Sequence, residues 1–151
     1  MSNEKPDFVK IYEKYDGLST GARAESRRVR EPGDLGLATT LYRLFPGEVP
    51  RRQHQRVLFL LPWCVHKTGA KSLGAQLHSS GVSEQRVLQV LRSSEPRDIV
   101  QLRRLAIHIK PQVDWNAFGN LLWFWSEKSK RNLIEKFYLD MFGNERDGES
   151  K

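Results

Sequence analysis

Asp98-Ile99-Val100-Gln101-Leu102-Arg103-Arg104-Leu105-Ala106-Ile107-His108-Ile109 reads as a helix with two unlike sides. Ile99, Leu102, Leu105, Ala106 and Ile109 recur at three- and four-residue intervals and so share one side. Arg97, Gln101, Arg104 and His108 recur at the same intervals on the opposite side, with Arg103 at the border. One side can build a core while the other presents fixed positive charge.

Helical periodicity and breaker residues place this helix over 96–110 and, outward from it, predict others over 7–16, 22–30, 35–45, 51–66, 72–79, 84–92, 115–125 and 128–142. Gly17, Pro32, Pro46-Gly47, Ser80-Gly81 and Pro111 separate them, and Ser83 and Asp114 stand at N-cap positions. Segment 51–66 is polar in its first turn and apolar all round from Val57 to Val65, which predicts a buried helix bent at Pro62. No stretch alternates apolar and polar residues between turn signals, so strands are not expected. The expected fold class is all-α, a compact bundle of about eight short helices. It divides into two packed helical subdomains, 5–80 and 81–143, followed by a flexible tail over 144–151.

At 151 residues, 38% apolar and with four Trp, the chain is large enough for one core. Its formal charge of +7 is unevenly spread. Residues 21–136 hold 20 basic and 10 acidic side chains, while both ends are slightly acidic. Arginine outnumbers lysine 15 to 10, and its planar fork suits phosphate. A basic middle of this kind points to nucleic acid more than to a membrane. No apolar run approaches the roughly 20 residues of a bilayer span. The polar, acidic start is unlike a secretory signal, and the single Cys64 rules out an internal disulfide, so a cytoplasmic location is expected.

Enzyme signatures fail. In Gly69-Ala70-Lys71-Ser72, Ala70 stands where a phosphate-cradling loop needs glycine. His54, His66, His78 and His108 are too dispersed for a helix-borne metal pair, and zinc would lack cysteine partners. There is no Gly-x-Ser-x-Gly elbow. No cofactor or metal is expected. Arginine sets remain. Arg23, Arg27 and Arg30 share a face of the second helix, where like charges cost a few tenths of a kcal/mol per pair. Arg51, Arg52 and Arg56 open the buried helix, and Arg86 and Gln89 face away from Val87, Leu88 and Leu91. Lys128, Lys130 and Arg131 open the last helix, against its dipole. Any one set alone reads equally well as a solvated face; several sets with few acids favour a phosphate-binding surface. The aromatics from Trp115 to Phe142 could stack on unpaired bases, but at helical spacing they fit a core better. The stretch 73–87 has the look of a helix-turn-helix, with Glu84, Gln85 and Arg86 placed to meet base edges.

Arg27-Arg28-Val29-Arg30-Glu31-Pro32, Leu41-Tyr42-Arg43-Leu44, Ser72-Leu73-Gly74 through Ser80-Gly81, Glu84-Gln85-Arg86, Val100-Gln101-Leu102-Arg103-Arg104-Leu105, Asp114-Trp115 and Trp125 stand in the order and spacing of one family. Over residues 8–140 the chain resembles the small subunit, CasB, of the type I-E CRISPR effector complex Cascade. One departure is the 67–71 link, which is shorter than in some relatives. The resemblance implies two helical subdomains and two copies packed head to tail beside the backbone and large subunits. It implies a complex in which guide RNA pairs with target DNA to form an R-loop, and a small subunit without catalytic activity that guides the displaced strand in antiviral defence. By motif, strand-contacting arginines fall on Arg28, Arg51, Arg92 and Arg104, and Lys130 and Arg131 occupy a basic position of the last helix.

Charge pattern and resemblance together nominate Arg23, Arg27, Arg28, Arg51, Arg52, Arg92, Arg97, Arg103, Arg104, Lys130 and Arg131 as nucleic-acid contacts. Two other readings remain open at this point. One is a helix-turn-helix DNA-binding regulator; the other is a basic helical scaffold without nucleic-acid contact.

Overall fold

The apolar side of the opening stretch is buried: Ile99, Leu102, Leu105 and Ala106 are each no more than 2% exposed. The computed structural model describes residues 5–149, and the fold is all-α. Helices α1 (Phe8–Asp16), α2 (Thr20–Arg28), α3 (Thr39–Leu44) and α4 (Arg52–Leu60) lead to α5 (Leu73–Ser79), α6 (Glu84–Arg92), α7 (Arg97–Ile109), α8 (Trp115–Trp123) and α9 (Glu127–Glu149). Short 3-10 turns cover Pro32–Leu37 and Leu61–Trp63. One apolar cluster runs from Phe8 through Phe59, Leu77, Leu102 and Trp115 to Phe137.

Local chemistry sets most helix starts. The side chains of Asp7, Ser19, Ser72, Ser83 and Asp114 accept hydrogen bonds from backbone N–H groups in the first turns of α1, α2, α5, α6 and α8. Each such cap contributes on the order of 1 kcal/mol.

The structure departs from the periodic reading in several places. The helix expected over 35–45 is split, because Ala38 is extended (φ −73°, ψ 127°) between the 3-10 turn and α3. The long helix expected over 51–66 is not one bent helix. Its α-helical part ends at Leu60, Pro62 sits in a 3-10 turn and Cys64 is extended. Two strands do form: β1 (Val65–His66) pairs in parallel with β2 (Gln112–Val113). The Val65 N–H donates to Pro111 O and the Lys67 N–H to Val113 O. Two residues are too few to show a period of two, so the pattern had nothing to reveal. At the other end, α9 continues past the expected stop through Glu149, because Gly143 and Gly148 each cost only about 1 kcal/mol in a helix. Residues 150 and 151 of the expected tail lie outside the described residues.

α5 is seated closely on α9. A Cβ built on Gly74 would come within 2.2 Å of the Leu133 carbonyl oxygen, so only glycine fits. At the end of this seam His78 Nδ1 lies 2.7 Å from Asp140 Oδ2, and Ser79 Oγ donates to the same oxygen at 2.9 Å. Cys64 is enclosed, and burial pushes its thiol up, leaving it unreactive at neutral pH.

Gly74→Ala should cost about 1–3 kcal/mol, since the clash is with backbone. Gly21→Ala, in open space within α2, should gain up to about 1 kcal/mol. Urea unfolding midpoints of the two variants test this contrast. The Asp140 carboxyl is held below its usual value, first by the His78 hydrogen bond and then by that of Ser79. A lowered folded value means this stabilisation is full above the ordinary 3.8 and is lost as the pH falls through the lowered value. Asp140→Asn should therefore melt lower than wild type at neutral pH, and the gap should close below pH 3.8.

Candidate nucleic-acid interface

α7 is the spine of the basic surface. Arg97 and Arg104 stand exposed on its outer side with His108, and Gln101 is half-buried between them. Arg30 reaches this face from another element. α2 stops at Arg28 because Val29 is extended (φ −69°, ψ 149°). The backbone N–H groups of Arg30 and Glu31 then donate to Asp34 Oδ2 at 3.3 and 3.1 Å. This turn takes Arg30 off the helix that was expected to carry it beside Arg23 and Arg27. It lines one open groove with Arg97, Gln101 and Arg104, walled by Glu31, Pro96 and Val100. Arg52 borders an adjoining groove that shares Glu31 and Pro96 and adds Gln55 and Glu95.

Arg51 and Arg52 are placed by a residue that sequence reasoning missed. The Arg51 N–H donates to His54 Nδ1 at 3.0 Å, and His54 is fully buried. Its ring lies edge-on to Phe45 and Trp123, with centroids 4.7 and 4.8 Å away. With Nδ1 accepting, Nε2 carries the proton and donates to Glu48 at 3.2 Å. No usual capping residue marks this helix start, so the sequence carried no signal for it.

Against the grooves lies a charged layer, buried at Arg56, Asp98 and Lys130 and partly exposed at Glu95. Arg56 Nη1 meets Glu95 Oε2 at 2.8 Å, and its remaining nitrogens donate to the carbonyls of Leu122 (2.6 Å) and Trp123 (2.9 Å). Lys130 Nζ donates to Asp98 Oδ2 at 2.9 Å and to the Ser93 carbonyl at 2.6 Å. Trp125 Nε1 completes the Asp98 carboxylate at 2.9 Å. Lys130, nominated above as a nucleic-acid contact, is therefore only 4% exposed and neutralised internally. The reason is positional: it lies three and four residues before Leu133 and Ile134, on the inward side of α9. Arg56, grouped above with the outward arginines, is likewise a buried staple.

The other nominated residues divide by exposure. Arg103 is half-buried, with its guanidinium 3.9 Å above the Phe59 ring. Burial, and then the Arg104 charge, lowers its pKa. Arg23 is half-buried and lies 3.8 Å from Asp16. Arg27, Arg28, Arg51, Arg52, Arg92 and Arg131 are exposed. Among the described residues, these six together with Arg30, Arg97 and Arg104 have no carboxylate oxygen within 4.0 Å. Arg92 and Arg131 do not line the groove. The helix-turn-helix stretch is occupied by packing: Gly74 seats α5 on α9, and Tyr138 on α9 donates its hydroxyl proton to Glu84. No described helix is long and apolar enough to cross a membrane.

No family model matches the chain. The CRISPR system Cascade subunit CasB of Escherichia coli (strain K12) is 33% identical to it over 151 aligned positions, covering 88% of this chain and 93% of that protein. The chain belongs to the CasB family. A chain from the crystal structure of E. coli Cascade bound to a PAM-containing dsDNA target matches with a TM-score of 0.82. It is 34% identical, and the match covers 91% of this chain and 99% of that one. This CasB-family chain thus combines an all-α fold with a carboxylate-poor arginine groove and a largely buried ionic layer against it.

Inward and outward arginines should differ sharply in their effect on stability. Arg56→Met leaves the buried carbonyls of Leu122 and Trp123 without their donor and should cost about 2–4 kcal/mol. Arg30→Gln should stay within about 0.5 kcal/mol of wild type. Equilibrium unfolding in urea measures both.

Proposed function

We propose that this CasB-family subunit is a non-catalytic holder of sugar-phosphate backbone in a type I-E CRISPR surveillance complex, stabilising the R-loop in antiviral defence. The observation that carries this reading is the groove where Arg30, Arg97 and Arg104 converge with no carboxylate in ion-pair range among the described residues. Three planar guanidinium groups on rigid supports suit phosphate oxygens, each able to donate two parallel hydrogen bonds. Base edges need not be read, because a guided complex delegates sequence choice to base pairing and asks the protein for charge and shape.

The relatives support the same reading. One is a Cascade subunit, and the structural neighbour comes from Cascade bound to a PAM-containing dsDNA target. The ligands of this chain are then target DNA and its displaced strand, close to guide RNA. Its protein partners are the backbone and large subunits and a second copy of itself, head to tail, in the cytoplasm. Arg27, Arg28, Arg51, Arg52, Arg92 and Arg131 extend the contact surface beyond the groove. Arg23 and Arg103 contribute less, since one lies close to Asp16 and the other rests on Phe59. The 5–80 and 81–143 subdomains present this surface from both halves, with Arg30 and Arg52 from the first and Arg97 and Arg104 from the second.

Arg28→Ala with Arg104→Ala should leave assembled complex intact while shortening R-loop lifetime; an unchanged lifetime at physiological salt overturns the proposal. For the isolated chain, neutralising about four phosphates of a single strand gives a slope of log affinity against log salt near −3. Binding to single-stranded DNA should then weaken about 50-fold between 50 and 200 mM salt. A flat salt dependence in filter binding would favour a pure protein scaffold.

A further inference from the structure

We infer that Lys130, Asp98 and Arg56 are positioning residues for the basic groove: they fasten the chain between α6 and α7 so that Arg97 and its neighbours are held ready for phosphate. The inference rests on reading the groove as a phosphate holder and concerns what presets it. In the connection over 93–96, Glu95 and Pro96 form wall, not mere linker. Pro96 lines both grooves, Glu95 lines one and Arg97 the other. This short stretch and the start of α7 have three attachments to the body of the protein. Lys130 Nζ bridges its two ends, donating to the Ser93 carbonyl at 2.6 Å and to Asp98 at 2.9 Å. Arg56 takes Glu95 at 2.8 Å in the middle. Trp125 Nε1 holds Asp98 from a third element at 2.9 Å. Arg97 lies inside this frame, its own side chain free and exposed.

Stability alone does not account for the arrangement. A buried ion pair is often matched or bettered by apolar residues of similar volume, because desolvation offsets the attraction. Apolar residues would lack directional bonds to the Ser93 carbonyl and the α7 first turn. Those bonds fix where the α7 N-terminus begins, and with it the direction in which Arg97 and Arg104 leave the helix. A groove preset in this way orders fewer side chains on binding, which strengthens the complex without adding a contact.

The test uses Asp98→Asn with Lys130→Met, which removes one negative and one positive charge, so net charge is unchanged and no buried charge is stranded. Binding of the full chain to a single-stranded oligonucleotide is measured across a salt series, with Arg97→Ala alone and combined with the pair. Affinity should fall roughly fivefold, the size of coupling seen between contacting residues. The salt slope should not change, and the loss should overlap that of Arg97→Ala rather than add to it. Hydrogen exchange at residues 97–99 should quicken while α1 and α8 stay protected. Unchanged affinity, or fully additive losses, overturns the inference. So does a salt slope shallower by about 0.7, which would make Lys130 a phosphate contact itself. If the paired variant does not fold, Trp125→Phe removes one bond to Asp98 and keeps an aromatic, though smaller, side chain; full affinity with unchanged exchange at 97–99 then overturns the inference. Arg97→Ala without loss overturns the groove reading, whereas loss on Arg97→Ala with none on the paired variant overturns only the positioning role.

Discussion

A carboxylate enclosed among apolar side chains must be matched or it unfolds its surroundings, and Asp98 is such a group at 1% exposure. Lys130 and Trp125 match it from α9 and from the turn before it, and Lys130 reaches on to Ser93. This contact joins the last helix to the start of α7. Arg56, bonded to Glu95 and to the carbonyls of Leu122 and Trp123, ties α4 to the same region beneath the basic surface.

The arginines and lysines of this chain do two opposite jobs. Arg56 and Lys130 are inside, spent on carbonyls and carboxylates, and contribute nothing to outward charge. Arg30, Arg97 and Arg104 are outside, with no carboxylate oxygen within 4.0 Å among the described residues, where a guanidinium costs little to keep solvated. The inner set makes the outer set rigid. Arg103 stands between them, its apolar face on Phe59. A surface of this kind, carried by a member of the CasB family, fits the proposed grip on a strand whose sequence is chosen elsewhere.

Much of this was legible beforehand. The α6 and α7 segments fall where their periodicity puts them, and Ser83 and Asp114 cap as their chemistry suggests. Asp98 itself was readable: it lies four residues before Leu102, on the side that is otherwise apolar, and Lys130 stands in the same relation to Ile134. Two opposite charges on two inward faces are a pair waiting to be matched. Counting Lys130 among the free cations followed charge and overlooked that register. The ends of the helices at Leu60 and Arg28 were less legible, because Pro62 and Val29 act through backbone geometry that the spacing of side chains does not encode.

Helical period, caps and the surplus of arginine are properties of neighbours along the chain, and they suffice for an all-α bundle with a basic exterior. Which cations remain outside is a property of neighbours in space. His54 sits at its helix start through rings from Phe45 and Trp123, and Arg30 joins Arg97 across nearly half of the chain. Arg56 finds Glu95 and the end of α8 only once α4 is buried. Such pairings span tens of residues, and no local pattern records them; packing chooses the partner, and desolvation then makes the choice binding.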